Sequence, residues 1–278
     1  MILYNEQLLP REEVHIDIED RGYQFGDGVY EVIRVYDGKL FYLKEHLQRL
    51  LKSADAIQLE LPVALEQLPQ KIEELLDANQ MKQGNIYVQI TRGVAARSHA
   101  FPGQSQPILI AYTQPGERPT KALQEGITAI TTEDLRWLRC DIKSLNLLGA
   151  VLAKQKAVDH QAEEAILVRD NFVTEGSSTN FFIVEGNAIW THPANHLILH
   201  GITRQIVLQL AAERKLTVNE VAFSKERIYT ADECFITSTT MEICPVVKID
   251  DRLVNQGQPG SITRMLQADF QRLITSHG

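Results

Sequence analysis

The sequence predicts an α/β or α+β protein of two domains, and three observations carry that expectation. The chain has 278 residues, 44% hydrophobic and 23% charged, enough for one large domain or two ordinary ones without disulfide staples. Runs rich in Val, Ile and Thr are interspersed with stretches whose apolar residues recur at helical spacing. The segment Thr113-Gln-Pro-Gly-Glu-Arg-Pro-Thr120 holds two prolines and a glycine, the composition of an extended, solvated connector. We therefore expect domains over 1–114 and 121–278, joined by a linker at 115–120.

In the first part, 29–35 and 39–42 read as strands around Tyr36-Asp37-Gly38, because Asp-Gly between β-rich runs favours a tight hairpin. Leu47, Leu50, Leu51, Ala54 and Ile57 place one face of a helix over 44–59. A second helix is expected over 65–76, with Pro69 working against it, then strands at 86–91 and 108–112. In the second part, 127–131, 165–168, 180–184 and 234–237 read as strands, and 147–158, 204–214 and 261–274 as helices. Met265, Leu266, Phe270 and Leu273 form the apolar stripe of the last one.

Charge and composition exclude several functions. The formal charge is −8 and each half is acidic, which disfavours a nucleic-acid surface, where phosphates need clustered Lys and Arg. The longest apolar run, Leu147 to Ala153, has seven residues, far short of the roughly 20 that span a membrane. The start Met1-Ile-Leu-Tyr-Asn-Glu has neither the basic nor the apolar region of a secretory signal. Cys140, Cys234 and Cys244 are odd in number and show no Cys-x-x-Cys pair, so reduced thiols in the cytoplasm are expected.

Several motifs invite a chemical reading. Gly26-Asp-Gly28-Val-Tyr-Glu31 begins like a dinucleotide fingerprint but lacks the third glycine and runs into a strand, so nucleotide binding is rejected. His192, His196 and His200 are spaced by four. Pro193 and the run Leu197-Ile-Leu199 suggest loop then strand, with no carboxylate between the histidines, so no metal is expected. Gly201-Ile-Thr203-Arg204 opens a helix. Thr203 is either an ordinary N-cap or part of a phosphate site, since free helix amides and the dipole point at an anion. The clusters Glu175-Gly-Ser-Ser-Thr-Asn180 and Thr237-Ser-Thr-Thr240 are turns by one reading and phosphate donors by the other; three such loops in one half favour a phosphorylated cofactor. Arg97 and His99, two residues apart, would face the same way on extended backbone and suit a carboxylate, or they are an ordinary solvated loop.

Asp20-Arg-Gly-Tyr-Gln-Phe-Gly-Asp-Gly-Val-Tyr-Glu31, Arg136-Trp-Leu-Arg-Cys-Asp-Ile-Lys-Ser-Leu-Asn146, Thr174-Glu-Gly-Ser-Ser178, Gly201-Ile-Thr203 and Arg97-Ser-His99 resemble the fold type IV pyridoxal-phosphate enzymes, the class IV aminotransferases. The resemblance runs nearly end to end and is greatest to the branch that transaminates D-amino acids. It implies a cofactor, pyridoxal 5′-phosphate, in the cleft between two domains. It implies Lys143 as the catalytic Schiff-base lysine, whose amine also shuttles a proton. It implies Glu175 opposite the pyridine nitrogen, with Arg49, Ile202, Thr203 and Thr239 at the phosphate and Ser178 and Ser238 near the cofactor. Tyr30, Arg97 and His99 are implied to hold the substrate carboxylate, with the Arg-x-His loop reaching in from the partner of a homodimer. The implied reaction is D-alanine plus 2-oxoglutarate to pyruvate plus D-glutamate, by a ping-pong mechanism. A branched-chain L-amino-acid aminotransferase and an aminodeoxychorismate lyase of the same fold type are the alternatives.

Overall fold

A computed structural model describes residues 1–64 and 66–276. The chain divides into two compact units, Met1–Glu117 with Ile142–Asn146, and Arg118–Asp141 with 147–276.

The first unit contains β1 (Ile2–Tyr4), β2 (Gln7–Leu9), α1 (Arg21–Phe25), β3 (Gly28–Tyr36), β4 (Lys39–Leu40), α2 (Leu43–Ala56), α3 (Leu68–Asn79), β5 (Gly84–Thr91) and β6 (Ile108–Pro115). Its antiparallel sheet has the order β2-β1-β6-β5-β3-β4. Tyr36 pairs with Lys39 across the Asp37-Gly38 turn, as its sequence predicts. Leu47, Leu50 and Ala54 of α2 and Leu68, Ile72, Leu75 and Leu76 of α3 form one core with Val29, Ile33, Ile86, Val88 and Ile90 of the sheet, the burial that makes amphipathic helices stable. Helix α2 stops before the expected residue 59 because Gln58 takes φ +53°. Pro69 sits in the first turn of α3, where a missing N–H costs nothing; Leu65, the expected start of that helix, lies outside the described residues.

The segment Ile142–Asn146 packs with this unit, apart from its neighbours in sequence. Ser144 bridges Val29, Tyr30 N donates to Lys143 O at 3.0 Å, and Leu145 N donates to Gly28 O at 3.0 Å. A side chain at Gly28 would collide with Ile90 O and Leu145, so glycine there lets the segment lie against the edge of β3.

The second unit contains α4 (Thr120–Glu125), β7 (Ile127–Glu133), α5 (Leu148–Asp159), β8 (Glu164–Arg169), β9 (Phe172–Gly176), β10 (Asn180–Glu185), β11 (Ala188–Thr191), α6 (Ile202–Glu213), β12 (Thr217–Glu220), α7 (Lys225–Ile228), β13 (Glu233–Ser238), β14 (Glu242–Ile249), β15 (Arg252–Leu253) and α8 (Ser261–Ser276). Its sheet runs β12-β11-β10-β13-β14-β7-β8-β9, with β15 beside β14. The pairs β11/β12, β14/β7 and β7/β8 are parallel. Strands β10 and β13 are buried along almost their whole length, the pattern of strands covered on both faces. Phe182 and Phe235 stack at 4.7 Å between them.

One expectation is corrected. Leu197-Ile-Leu199 is not a strand: Leu199 N donates to the Glu175 carboxylate instead of to a sheet neighbour. Between the units, β6 runs on to Pro115 and α4 begins at Thr120.

Candidate active site

In the first unit, Lys143 is held through its backbone and faced by an aromatic ring. Its N–H donates to Ser53 Oγ at 3.1 Å, its carbonyl accepts from Tyr30, and its Nζ lies 4.2 Å from the centre of the Tyr30 ring. The Tyr30 ring stacks in turn on Tyr87 at 5.7 Å. The Lys143 amine thus lies over an aromatic face, on backbone tied at both its N–H and its carbonyl.

Glu31, next along β3, points to the other side of the sheet and is fully buried. It receives Arg49 Nε at 2.7 Å, Arg49 Nη2 at 2.8 Å and His46 Nδ1 at 2.8 Å. Burial alone would raise its pKa; the Arg49 and His46 charges and hydrogen bonds outweigh it and hold the carboxyl well below its ordinary range. Burial holds His46 below the ordinary histidine value. Arg49 is thus fixed by a bidentate pair whose geometry lysine could not reproduce.

Arg97 and His99 lie in an exposed bend, not in a strand, so the alternation argument does not apply. They still converge: the Arg97 guanidinium is 4.6 Å and the His99 ring 5.6 Å from the centre of Phe25.

In the second unit, Glu175 is buried on β9 among three donor groups. Arg136 Nη1 donates to Oε1, Asn180 Nδ2 to Oε2 at 2.8 Å, and Leu199 N to both oxygens at 3.1 and 3.0 Å. Arg136 is shared, since its Nε and Nη2 bind Asp134 at 2.9 Å each. Burial dominates here and pushes the Glu175 carboxyl up to about 7. The same Asn180 amide donates to Leu199 O at 2.8 Å, and a Cβ on Gly201 would strike its side-chain oxygen. Glycine at 201 therefore lets the start of α6 close in on the Glu175 network.

Gly201, not Thr203, occupies the N-cap of α6, so Ile202 and Thr203 lie in the first turn, where amides have no intrahelical acceptor. Both are buried. Ser177 and Thr179 hydroxyls bind Glu164, which ties down the β9–β10 turn and leaves Ser178 between them exposed. Ser238 Oγ accepts from Met241 N at 3.0 Å, closing the turn that carries the half-buried Thr239. His192 is buried, while His196 and His200 are on the loop before α6.

Sequence reasoning missed Arg136, Asn180 and Leu199 around Glu175, and Glu31 and His46 around Arg49. Arg136, Asn180 and Glu31 stand inside the quoted motifs. Their signal was a polar residue whose burial the motif itself does not reveal.

A family model for the class IV amino-transferases matches residues 28–249. The chain belongs to that family, whose members are pyridoxal-phosphate-dependent enzymes. Among curated proteins it is 50% identical to the D-alanine aminotransferase of Bacillus licheniformis over 99% of this chain and 97% of that protein. It is 47% identical to the D-alanine aminotransferase of Staphylococcus epidermidis over 99% and 98%. Among solved structures, the branched-chain amino acid aminotransferase of Escherichia coli superposes with a TM-score of 0.95 at 27% identity, covering 99% and 95%. A branched-chain amino acid aminotransferase from T.th., solved with pyridoxamine 5′-phosphate, superposes with a TM-score of 0.93 at 28% identity, covering 99% and 94%. The fold is therefore that of the fold type IV aminotransferases.

The residues present fit such a cofactor. Glu175 has one guanidinium that it shares with Asp134, so its surroundings lack a positive charge that a protonated ring nitrogen would supply. Gly201 admits a bare helix N-terminus, the arrangement that takes a phosphate.

Proposed function

We propose that this enzyme transfers amino groups between D-amino acids and 2-oxo acids, with D-alanine plus 2-oxoglutarate giving pyruvate plus D-glutamate. The observation that carries the proposal is 50% identity along 99% of the chain to a D-alanine aminotransferase. The superposition on branched-chain aminotransferases supports an L-amino-acid reading only at 27–28% identity.

Pyridoxal 5′-phosphate, when bound, supplies the aldehyde that accepts and returns the amino group and the ring that draws electrons from the reacting carbon. Lys143 is the residue that would hold the cofactor covalently through its amine, and its Nζ, when free, would carry the proton from the substrate Cα. Glu175, held by Arg136, Asn180 and Leu199 N, would pair with the ring nitrogen of the bound cofactor and favour its protonated form. Arg49, Ile202, Thr203 and Thr239 bind the phosphate, with Ser178 and Ser238 close by. Tyr30, Arg97 and His99 bind the substrate carboxylate, and the side on which that carboxylate lies selects the D-enantiomer.

The proposal extends to organisation. The chain comprises a domain of about 1–114 and one of about 121–278. The protein is a homodimer, each Arg97–His99 loop serving the partner's site. Helix α5 supports self-association: Leu148, Val151, Leu152 and Val158 are all more than half exposed, an apolar face of the kind that subunit contacts cover. Three unbridged, buried thiols support the cytoplasm, and none of the helices in the described residues is long and apolar enough to cross a membrane.

The test is pyruvate formation from D-alanine with and without 2-oxoglutarate, beside glutamate formation from L-leucine. Pyruvate only in the complete D-alanine mixture is expected. Activity on L-leucine with D-alanine inert would sink the proposal, and pyruvate without an acceptor would point to a lyase. Arg97→Ala is expected to raise KM for D-alanine about tenfold or more, leaving the cofactor spectrum unchanged.

A further inference from the structure

The segment Asp20–Asp27, part of the longest family motif, has no role in the chemistry above. Its Arg21 is only 2% exposed, and a buried guanidinium needs its N–H groups satisfied. Nε donates to Asp27 Oδ2 at 2.8 Å, Nη1 to Ser98 O at 2.6 Å and Nη2 to His99 O at 3.4 Å. Ser98 is the residue between Arg97 and His99, so Arg21 grips the backbone of the exposed bend that displays them.

The grip has a rigid base. Asp27 also receives Arg92 Nε at 2.9 Å, and Arg92 reaches Ile57 O and Gln58 O at 2.7 and 2.8 Å. The two guanidinium groups hold the Asp27 carboxyl below its ordinary range against the effect of burial. Asp20 caps α1 through Gly22 N at 2.8 Å and accepts from Thr91 Oγ1 at 2.7 Å; Arg21 N donates to Gly93 O at 2.9 Å. Three groups then surround the Phe25 ring: Arg21 at 4.8 Å, Arg97 at 4.6 Å and His99 at 5.6 Å. The aromatic face attracts the Arg97 cation and the tilted His99 ring packs on it, so the ring gathers both exposed side chains into one neighbourhood.

We propose that Arg21 and Phe25 are positioning residues that set the Arg97-Ser-His99 loop for the substrate carboxylate, Arg21 through its carbonyls and Phe25 through its side chains. The proposal rests on the reading of that loop as the carboxylate trap. Arg21→Lys keeps a cation beside Asp27 but loses the fork that meets two carbonyls at once. Phe25→Leu keeps apolar bulk and loses the aromatic face.

The test uses the full-length holoenzyme and four variants: Arg21→Lys, Phe25→Leu, Arg97→Ala and the double variant Arg21→Lys/Arg97→Ala. KM and kcat for D-alanine and 2-oxoglutarate, the cofactor absorbance and the melting temperature are measured for each. Arg21→Lys and Phe25→Leu are expected to raise both KM values about tenfold, with kcat within about twofold and the absorbance unchanged. In the Arg97→Ala background, Arg21→Lys is expected to add little, because it acts through the loop. Unchanged KM in Arg21→Lys while Arg97→Ala raises it overturns the proposal alone, as does the same fold-increase in both backgrounds. Unchanged KM in Arg97→Ala removes the trap itself, and the proposal with it. Phe25→Leu, which leaves every buried charge paired, carries the same test if Arg21→Lys does not fold.

Discussion

Glu31 and Glu175 are both buried carboxylates facing an arginine, one in each unit, and they end on opposite sides of their ordinary titration. Glu31 receives two nitrogens of Arg49 and one of His46. Glu175 receives one nitrogen of an arginine that also serves Asp134, and its other donors are neutral amides. Burial raises both; only at Glu31 do the positive partners prevail. Burial alone therefore does not decide protonation. The ratio of cations to carboxylates does, and a site that keeps this ratio low is prepared to receive a cation from a ligand.

The largest effect on stability should come from removing the charge at Glu31. Glu31→Gln leaves the Arg49 charge without its buried counter-ion and is expected to destabilise the protein by about 3–5 kcal/mol at neutral pH, read by denaturant unfolding. Cofactor affinity should fall with it, because Arg49 is no longer held. A loss below about 1 kcal/mol would erase the contrast between the two carboxylates.

Glu175→Gln should do the reverse. Activity is expected to drop about a hundredfold, measured as kcat for D-alanine, while stability at pH 7 holds or rises. The sign follows from linkage. Between the ordinary value of 4.5 and about 7, folded Glu175 retains a proton that the unfolded chain has released. Its stabilising contribution is full below 4.5 and is lost as pH rises to about 7. Glu31 behaves oppositely: its contribution is full above 4.5 and is lost as pH falls toward its depressed folded value. Melting curves of the cofactor-free protein from about pH 2.5 to 8 should lose a falling component between 4.5 and about 7 in Glu175→Gln and a rising one below 4.5 in Glu31→Gln. Parallel curves would refute the comparison. The smallest effect is His46→Gln, expected to cost about 1 kcal/mol by weakening one hydrogen bond to Glu31.

These networks also mark where sequence reading stops. Periodicity located α2, α6 and α8, and Asp37-Gly38 located its hairpin, because those signals are local. The Gly201 helix start was legible, although the cap fell on Gly201 and not Thr203, since backbone geometry and not side-chain chemistry makes this cap. The loop at 197–199 was misread as a strand because its apolar pattern matches one; the competitor for its amide, Glu175, is 24 residues away. Motif resemblance singled out Glu175 and Arg49. What surrounds them, Arg136 and Asn180 on one side and Glu31 and His46 on the other, depends on which side chains are buried together, and that follows from long-range pairing.

The lysine segment sets a schedule for synthesis. Domains fold as the chain emerges, N-terminal part first. The first unit reaches its border at Glu117 but takes Ile142–Asn146 from further along. Until then, the amide of Tyr30 and the carbonyl of Gly28 lack the partners that Lys143 and Leu145 provide. The nascent first unit thus carries an unfinished strand edge until residue 146 leaves the ribosome, and the segment that completes it carries the lysine at the centre of the proposed chemistry. Closing that edge and installing the amine are a single folding event.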